Sequence, residues 1–322
     1  MWPFIEPISL IRYLVVWKVN RTLVRLPRCL PVELSRVLGT LIAERLPTRE
    51  AQPWRKVMTK WEGYGDDPKQ TAPVPEAAWP IESVLFVYPG KQVYGQGETI
   101  LWELKLVGKS ADHGLFLEVI LPAMEEASKT TDSRWHRPAQ HSLWGGFDVQ
   151  AIYAARGLRW EPVASDGKLN LRYRALPSQW ADGLTFTSSS ERTLDRLTWI
   201  TPLDLPIRNP KGLDAPTLAE ILEALAARMG LFIPGKRRSP ADVWKVLSEQ
   251  DQAALRGAIE QAARFPLRRQ EIKRAPKGWP GKWIGAQTFL FIPDLLVPFL
   301  ELASILHVGK QTHFGCGTFV MG

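Results

Sequence analysis

Apolar and polar residues alternate along this chain with two different periods, and the switches between them outline its elements. Leu10 to Leu26 is a run rich in Val, Ile, Tyr and Trp, which suits a strand, and it is punctuated by Arg12, Lys18, Arg21 and Arg25. From Val32 the period changes. Leu34, Val37, Leu38, Leu41 and Ile42 fall at i, i+3, i+4 spacing and predict a helix that Pro47 stops, with Arg36 and Arg45 off the apolar stripe. A second short helix is expected over Thr48 to Trp61, then a Gly-, Pro- and Asp-rich loop from Gly63 to Pro80.

Strand patterns follow at Glu82–Tyr88 and Thr99–Val107, joined by a turn around Gly95 and Gly97. In the second, Leu101, Glu103 and Lys105 alternate with Trp102, Leu104 and Leu106, so one face is expected to be buried. A helix over Leu115–Ala127, a polar loop with Arg134, His136, Arg137 and His141, and a strand over Phe147–Ala155 complete the half. Strand, helix, strand, strand, helix, strand is the ferredoxin-like order.

The second half repeats this theme without repeating the sequence. After a linker with an embedded strand over Leu169–Leu176, a hairpin is expected over Leu184–Ile200 and a helix over Pro216–Leu231. An insertion with GKRRSP (residues 235–240) and a helix near Ala241–Ala263 come next. A basic loop, a strand over Trp283–Ile292, an apolar helix, a Gly-rich segment and a closing strand end the chain. The fold class expected is α+β: two tandem ferredoxin-like domains over 1–160 and 184–322, a linker over 161–183, helical insertions and a C-terminal glycine-rich loop.

Composition agrees with a globular chain: 322 residues, 45% hydrophobic and 23% charged. The net charge of +8 and pI of about 9.5 favour a polyanionic partner or simply a basic protein. Two cysteines make neither a disulfide framework nor a zinc pattern, so no metal or cofactor is expected. No apolar run has the length of a membrane span and no basic secretory start is present, which together suggest the cytoplasm. A peripheral membrane protein using the basic, tryptophan-rich N-terminal stretch is a poorer alternative.

Charge placement is more informative than its total. From Arg264 to Lys282 seven basic residues face one acid, Glu271, which fits either a mobile loop or hairpin that takes phosphates or a solvated loop. Arg268, Arg269, Lys273 and Arg274 are the candidates there. Between Arg12 and Lys60 basic residues are interleaved with Trp17, Trp54 and Trp61, a mixture suited to a nucleic-acid groove or to an ordinary solvated helix face. The tail HVGKQTHFGCG carries Gly309, Gly315 and Gly317 around Lys310 and His313. Glycine-rich backbone can offer N–H groups to a phosphate, or can merely turn a helix into a strand.

That tail resembles the C-terminal glycine-rich loop of the CRISPR RNA-processing endoribonucleases, the Cas "six" family of the RAMP superfamily, through Gly309, Lys310, Thr312, Phe314, Gly315 and Gly317. Phe265–Gly285 and Tyr88–Ala127 resemble two further family segments. The resemblance implies tandem ferredoxin-like (RRM-like) domains that bind a precursor CRISPR RNA repeat hairpin. It implies metal-independent cleavage by 2′-OH attack to a 2′,3′-cyclic phosphate, and a mature guide RNA kept with other Cas effector subunits.

The chain departs from the family in having no histidine before His113. The acid/base role then falls to His113, to His136 or His141, or is replaced by electrostatic stabilisation from Arg28, Arg36 and Arg45. A non-catalytic RAMP subunit capping the guide RNA is the alternative this departure keeps open. His307, on the last helical turn, is expected to face the C-terminal dipole.

Overall fold

The computed structural model describes residues 2–62, 64, 74–130, 141–165, 168–171, 173–184, 194–205, 215–233 and 239–322, the side chains of 164, 165 and 168 apart. Packing divides the chain into two compact units, one of residues 10–182 with 277–279, the other of 1–9, 183–276 and 280–322.

The first unit is built on β1 (Leu10–Val19), β2 (Leu23–Arg25), α1 (Leu30–Arg45), α2 (Thr48–Met58), β3 (Ser83–Val87), β4 (Val93–Gly95) and β5 (Thr99–Val107). Next come α3 (His113–Leu115), a π-helical segment Phe116–Ile120, α4 (Leu121–Lys129), β6 (Phe147–Arg156) and β7 (Arg159–Pro162). The main sheet is antiparallel in the order β3-β5-β1-β6-β7, with Tyr13 opposite both Leu104 and Ala154. Because strand side chains alternate, Tyr13, Val15 and Trp17 share one face with Trp102, Leu104 and Leu106. Leu34, Leu38 and Leu41 of α1, with Phe116 and Ile120, belong to the same buried core. On the other face Arg12 is ion-paired with Glu103, itself 2% exposed.

The stretch expected as a linker packs into this unit. β8 (Ala164–Ser165) pairs with β9 (Lys168–Leu169), α5 spans Pro177–Trp180, and Leu10 N–H donates to Ala175 O. Among the described residues the strand expected over Leu169–Leu176 does not form beyond β9. Asn170 spends its amide on Val163 O and its carbonyl on His113, so single bonds rather than a ladder hold the segment.

The second unit runs β10 (Arg196–Leu203), α6 (Leu218–Phe232), α7 (Val243–Val246), α8 (Glu249–Ala262), β11 (Leu267–Arg274), β12 (Trp283–Phe289), α9 (Val297–Leu306) and β13 (Phe319–Met321). Its sheet order is β11-β12-β10-β13. In each unit the four core strands therefore lie second, third, first, fourth, the order a βαββαβ chain gives when both helices cover one face. A capping box between Thr217 and Glu220 starts α6. The basic stretch expected as a loop or hairpin is the edge strand β11, hydrogen-bonded along β12. Residues 185–193 of the expected hairpin and 235–238 of GKRRSP lie outside the described residues. Among the described residues no helix is long and apolar enough to cross a membrane.

Candidate nucleic-acid interface

The glycine-rich loop leaves α9 through His307, a non-glycine residue at φ +58° whose fully buried ring turns back toward the loop. Its Nδ1 lies 3.0 Å from Gly315 O and 3.2 Å from Cys316 O, so Nδ1–H donates to the loop's own carbonyls. His307 thus caps α9 with its Nδ1 given to the loop. Gly309 and Gly317 adopt φ +97° and +82°, and a Cβ would stand 2.7 Å from Asp204 O and 1.9 Å from Val308 O respectively. The backbone approaches too closely there for any side chain.

The loop's amides are largely spent inside the fold. Val308 N–H donates to Gly317 O (3.0 Å), Lys310 N–H to Asp204 O (2.9 Å), Gly315 N–H to Thr312 O (2.9 Å) and Gly317 N–H to Pro202 O (2.9 Å). The expected open cradle of N–H groups is thus replaced at these positions by bonds within the loop and to the end of β10. His313 is buried, its ring edge-on to Phe314 at 5.1 Å. Lys310 keeps an exposed side chain.

The same place gathers the tip of the β11–β12 hairpin. Ala275 N–H donates to Lys282 O at 2.8 Å, and Lys282 N–H to Leu203 O at 2.9 Å. Lys282 Nζ reaches Asp204 at 3.0 Å, and Gly281 N–H donates to Gln311 Oε1 at 2.6 Å. The Arg274 guanidinium lies over the Trp283 ring, 5.4 Å from its centroid. Lys310, Lys282, Arg274 and Lys273 therefore occupy one end of the sheet. Arg268 and Arg269 lie at the opposite end of β11, about 20 Å away at strand rise. There Arg269 and Arg196 both bond Glu271 at 2.9 Å, in exposed pairs that solvent weakens.

Sequence reasoning missed Asp204 and Gln311. Asp204 lies outside both the basic and the glycine-rich stretch, Gln311 is a position of the tail that no pattern distinguishes, and only the packed loop gives them their partners.

In the first unit Arg28 is exposed just ahead of α1, Arg36 pairs with Glu33 at 2.7 Å, and Arg45 pairs with Glu126 at 2.8 Å. Arg45 also lines a cavity of about 350 Å³ with Ile42, Leu46, Pro47, Glu118 and Val119. Along a helix the step from 28 to 45 is about 25 Å, so these arginines do not converge on one phosphate. His113 is 7% exposed; Nε2–H donates to Asn170 O (2.9 Å) and Nδ1 accepts from Tyr13 Oη–H (2.8 Å). Burial lowers its pKa, against the Asn170 carbonyl and Asp112, which both favour the charged ring. His141 is exposed, and His136 lies outside the described residues. Among the described residues no group of three His, Cys, Asp or Glu side chains could hold a metal ion.

No family model and no curated protein matches this sequence. Among solved structures the chain is similar to Cas6 proteins. With a Cas6 product complex it shares 17% identity over 98% of this chain and 100% of the other, at a TM-score of 0.47. For Thermus thermophilus Cas6 the figures are 13%, 98%, 99% and 0.46. A chain of a partial Cas6-RT-Cas1–Cas2 complex gives 13% over 98% of this chain and 46% of that one, at 0.49.

Two outcomes follow from this geometry. Gly317→Val forces a Cβ into Val308 O at a left-handed φ and is expected to cost about 3 kcal/mol, read as a lower urea midpoint. An unchanged midpoint would show that the loop does not pack as described. His113 has a folded pKa below 6.5, so below that pH the unfolded chain takes up a proton the fold resists. Stability is expected to fall as pH drops from 6.5 through the lowered value and to be flat in this contribution above it. Titrating His113→Gln in parallel should show a shallower acid loss.

Proposed function

We propose that this protein is an RNA-binding endoribonuclease that matures CRISPR precursor RNA. A repeat hairpin is held by the cationic end of the second unit. The observation that carries this reading is the junction itself: Asp204 and Gln311 join the glycine-rich loop to the basic hairpin, so that Lys310 and Lys282 are brought to the end of β11 that carries Lys273 and Arg274. Such a cluster suits the phosphates of an A-form stem, and the guanidinium over Trp283 adds a planar surface for a base. Arg269 extends the track along β11, whereas Arg268 stands at the far end of the strand beside apolar side chains. Gly309, Gly315 and Gly317 shape the loop rather than serving as its anion cradle, and His313 supports it from inside.

Cleavage on this reading needs no metal: the ribose 2′-OH attacks the adjacent phosphorus, the 5′-oxygen leaves, and a 2′,3′-cyclic phosphate remains. Arg28, just ahead of α1, and Arg36 and Arg45 on it are alternative candidates for stabilising the phosphorane charge, since their spacing lets only one of them reach a given phosphate. His113 serves as acid or base only after releasing Tyr13 or the Asn170 carbonyl, which favours a slow enzyme that keeps its product and stays with other Cas subunits. The same double engagement of His113 favours a second reading, a non-catalytic subunit capping the guide RNA.

Incubating the protein with repeat-hairpin RNA in EDTA separates these. A 2′,3′-cyclic-phosphate product that is lost when the 2′-OH at the cut site is removed supports the nuclease. Tight binding without product supports the capping subunit, and no binding in dilute salt defeats both. Replacing Lys310 and Arg274 with Ala together should lower affinity and reduce the salt slope by roughly 1.5, two phosphate contacts' worth.

A further inference from the structure

The end of the second unit remote from Lys310 has a different surface. Leu290, Phe291 and Leu295 are 63%, 37% and 52% exposed, three large apolar side chains within six residues. Phe265, just after α8, meets Phe291 edge-to-face with ring centroids 4.8 Å apart. Their neighbours in the chain are fixed inward: Phe289 is fully buried, as is Leu296, and Ile292 is 3% exposed. The backbone between them is tied to the start of β10, with Phe289 N–H on Asp195 O (2.7 Å) and Ile292 N–H on Leu194 O (2.6 Å). Outward exposure of Leu290, Phe291 and Leu295 is therefore imposed by the packing of the residues between them. Single exposed apolar residues are ordinary, but a fixed cluster marks a contact surface.

Charge around the cluster selects the partner. Arg264 and Arg268 flank Phe265 in the chain and are exposed. Arg268 sits at the register shift where Leu267 faces Phe289, one residue from Leu290. Among the described residues neither arginine has an ion-pair partner, unlike Arg196 and Arg269. Aliphatic leucines give nothing to phosphates, whereas an apolar centre with an arginine rim is the make-up of a protein interface. Asp294 is the one acid in residues 290–296.

We propose that Phe265, Leu290, Phe291 and Leu295, rimmed by Arg264 and Arg268, dock a protein segment with an apolar stripe and acidic flanks. The edge strand β11 thereby serves two partners, nucleic acid at its Arg274 end and protein at its Arg268 end. The inference stands independently of the RNA reading.

The probes are three labelled synthetic peptides of helical spacing: a leucine stripe with glutamate flanks, the same stripe with lysine flanks, and the glutamate peptide with serine in place of leucine. Fluorescence anisotropy with the full chain should show the leucine–glutamate peptide binding in preference to both others. Leu290→Ser with Phe291→Ser should weaken it about tenfold, as loss of an apolar anchor does. Arg264→Glu with Arg268→Glu should switch preference to the lysine peptide, and this charge reversal tests the surface even where the serine variant fails to fold. The proposal is overturned if the lysine or serine peptide binds wild type as tightly, or if charge reversal leaves the preference unchanged. It is overturned too if sedimentation shows a dimer that Leu290→Ser with Phe291→Ser dissociates, which would give the surface to a second copy. Loss of hairpin-RNA binding in that serine variant, with its far-UV spectrum intact, would give the surface to RNA.

Discussion

Backbone contact at two glycines organises the C-terminal unit. Gly317 lies so near Val308 O, and Gly309 so near Asp204 O, that only a residue without Cβ completes the turn. With those contacts made, the tail reaches the end of β10, Lys310 N–H finds Asp204 O, and Gln311 Oε1 receives Gly281 N–H. The glycines thus act through the fold. Their exchange for larger residues removes the platform that puts Lys310 beside Lys282 and Arg274, rather than a direct phosphate contact.

Charge in this unit is divided by what surrounds it. At the loop end Lys282 is paired with the largely buried Asp204, while the Lys310 side chain faces solvent, so an anion arriving there meets a cluster already positioned. At the opposite end of β11 Glu271 is shared by Arg196 and Arg269, and exposed pairs of this kind contribute at most about 1 kcal/mol. Arg264 and Arg268 sit beside apolar side chains instead. The basic run from Arg264 to Lys282 therefore meets three different environments on and beside the edge strand β11.

The N-terminal unit treats its polar groups differently. His113 is held between the Tyr13 hydroxyl and the Asn170 carbonyl, and Glu103 is buried against Arg12. Buried polar groups carry their full desolvation cost unless bonded. These networks set the position of β1 relative to β5 and to the segment after β9. Arg28 lies ahead of α1, and Arg36 and Arg45 are spread along it.

Periodicity alone determined much of this architecture. The i, i+3, i+4 stripe of α1, the alternation in β5, and the βαββαβ order of the first half are local properties, set by side chains that must share a face. The glycine-rich tail and the basic stretch were likewise legible as segments. Tertiary structure decided what those segments do: that the basic stretch is an edge strand, that loop amides go to Asp204 and Pro202, and that His113 lies buried with both ring nitrogens engaged. The same is true of Asp204 and Gln311, which no pattern singles out. Sequence spacing reports which residues can share a strand or helix face, whereas a hydrogen-bond partner over a hundred residues away is chosen only when separate elements close on one another.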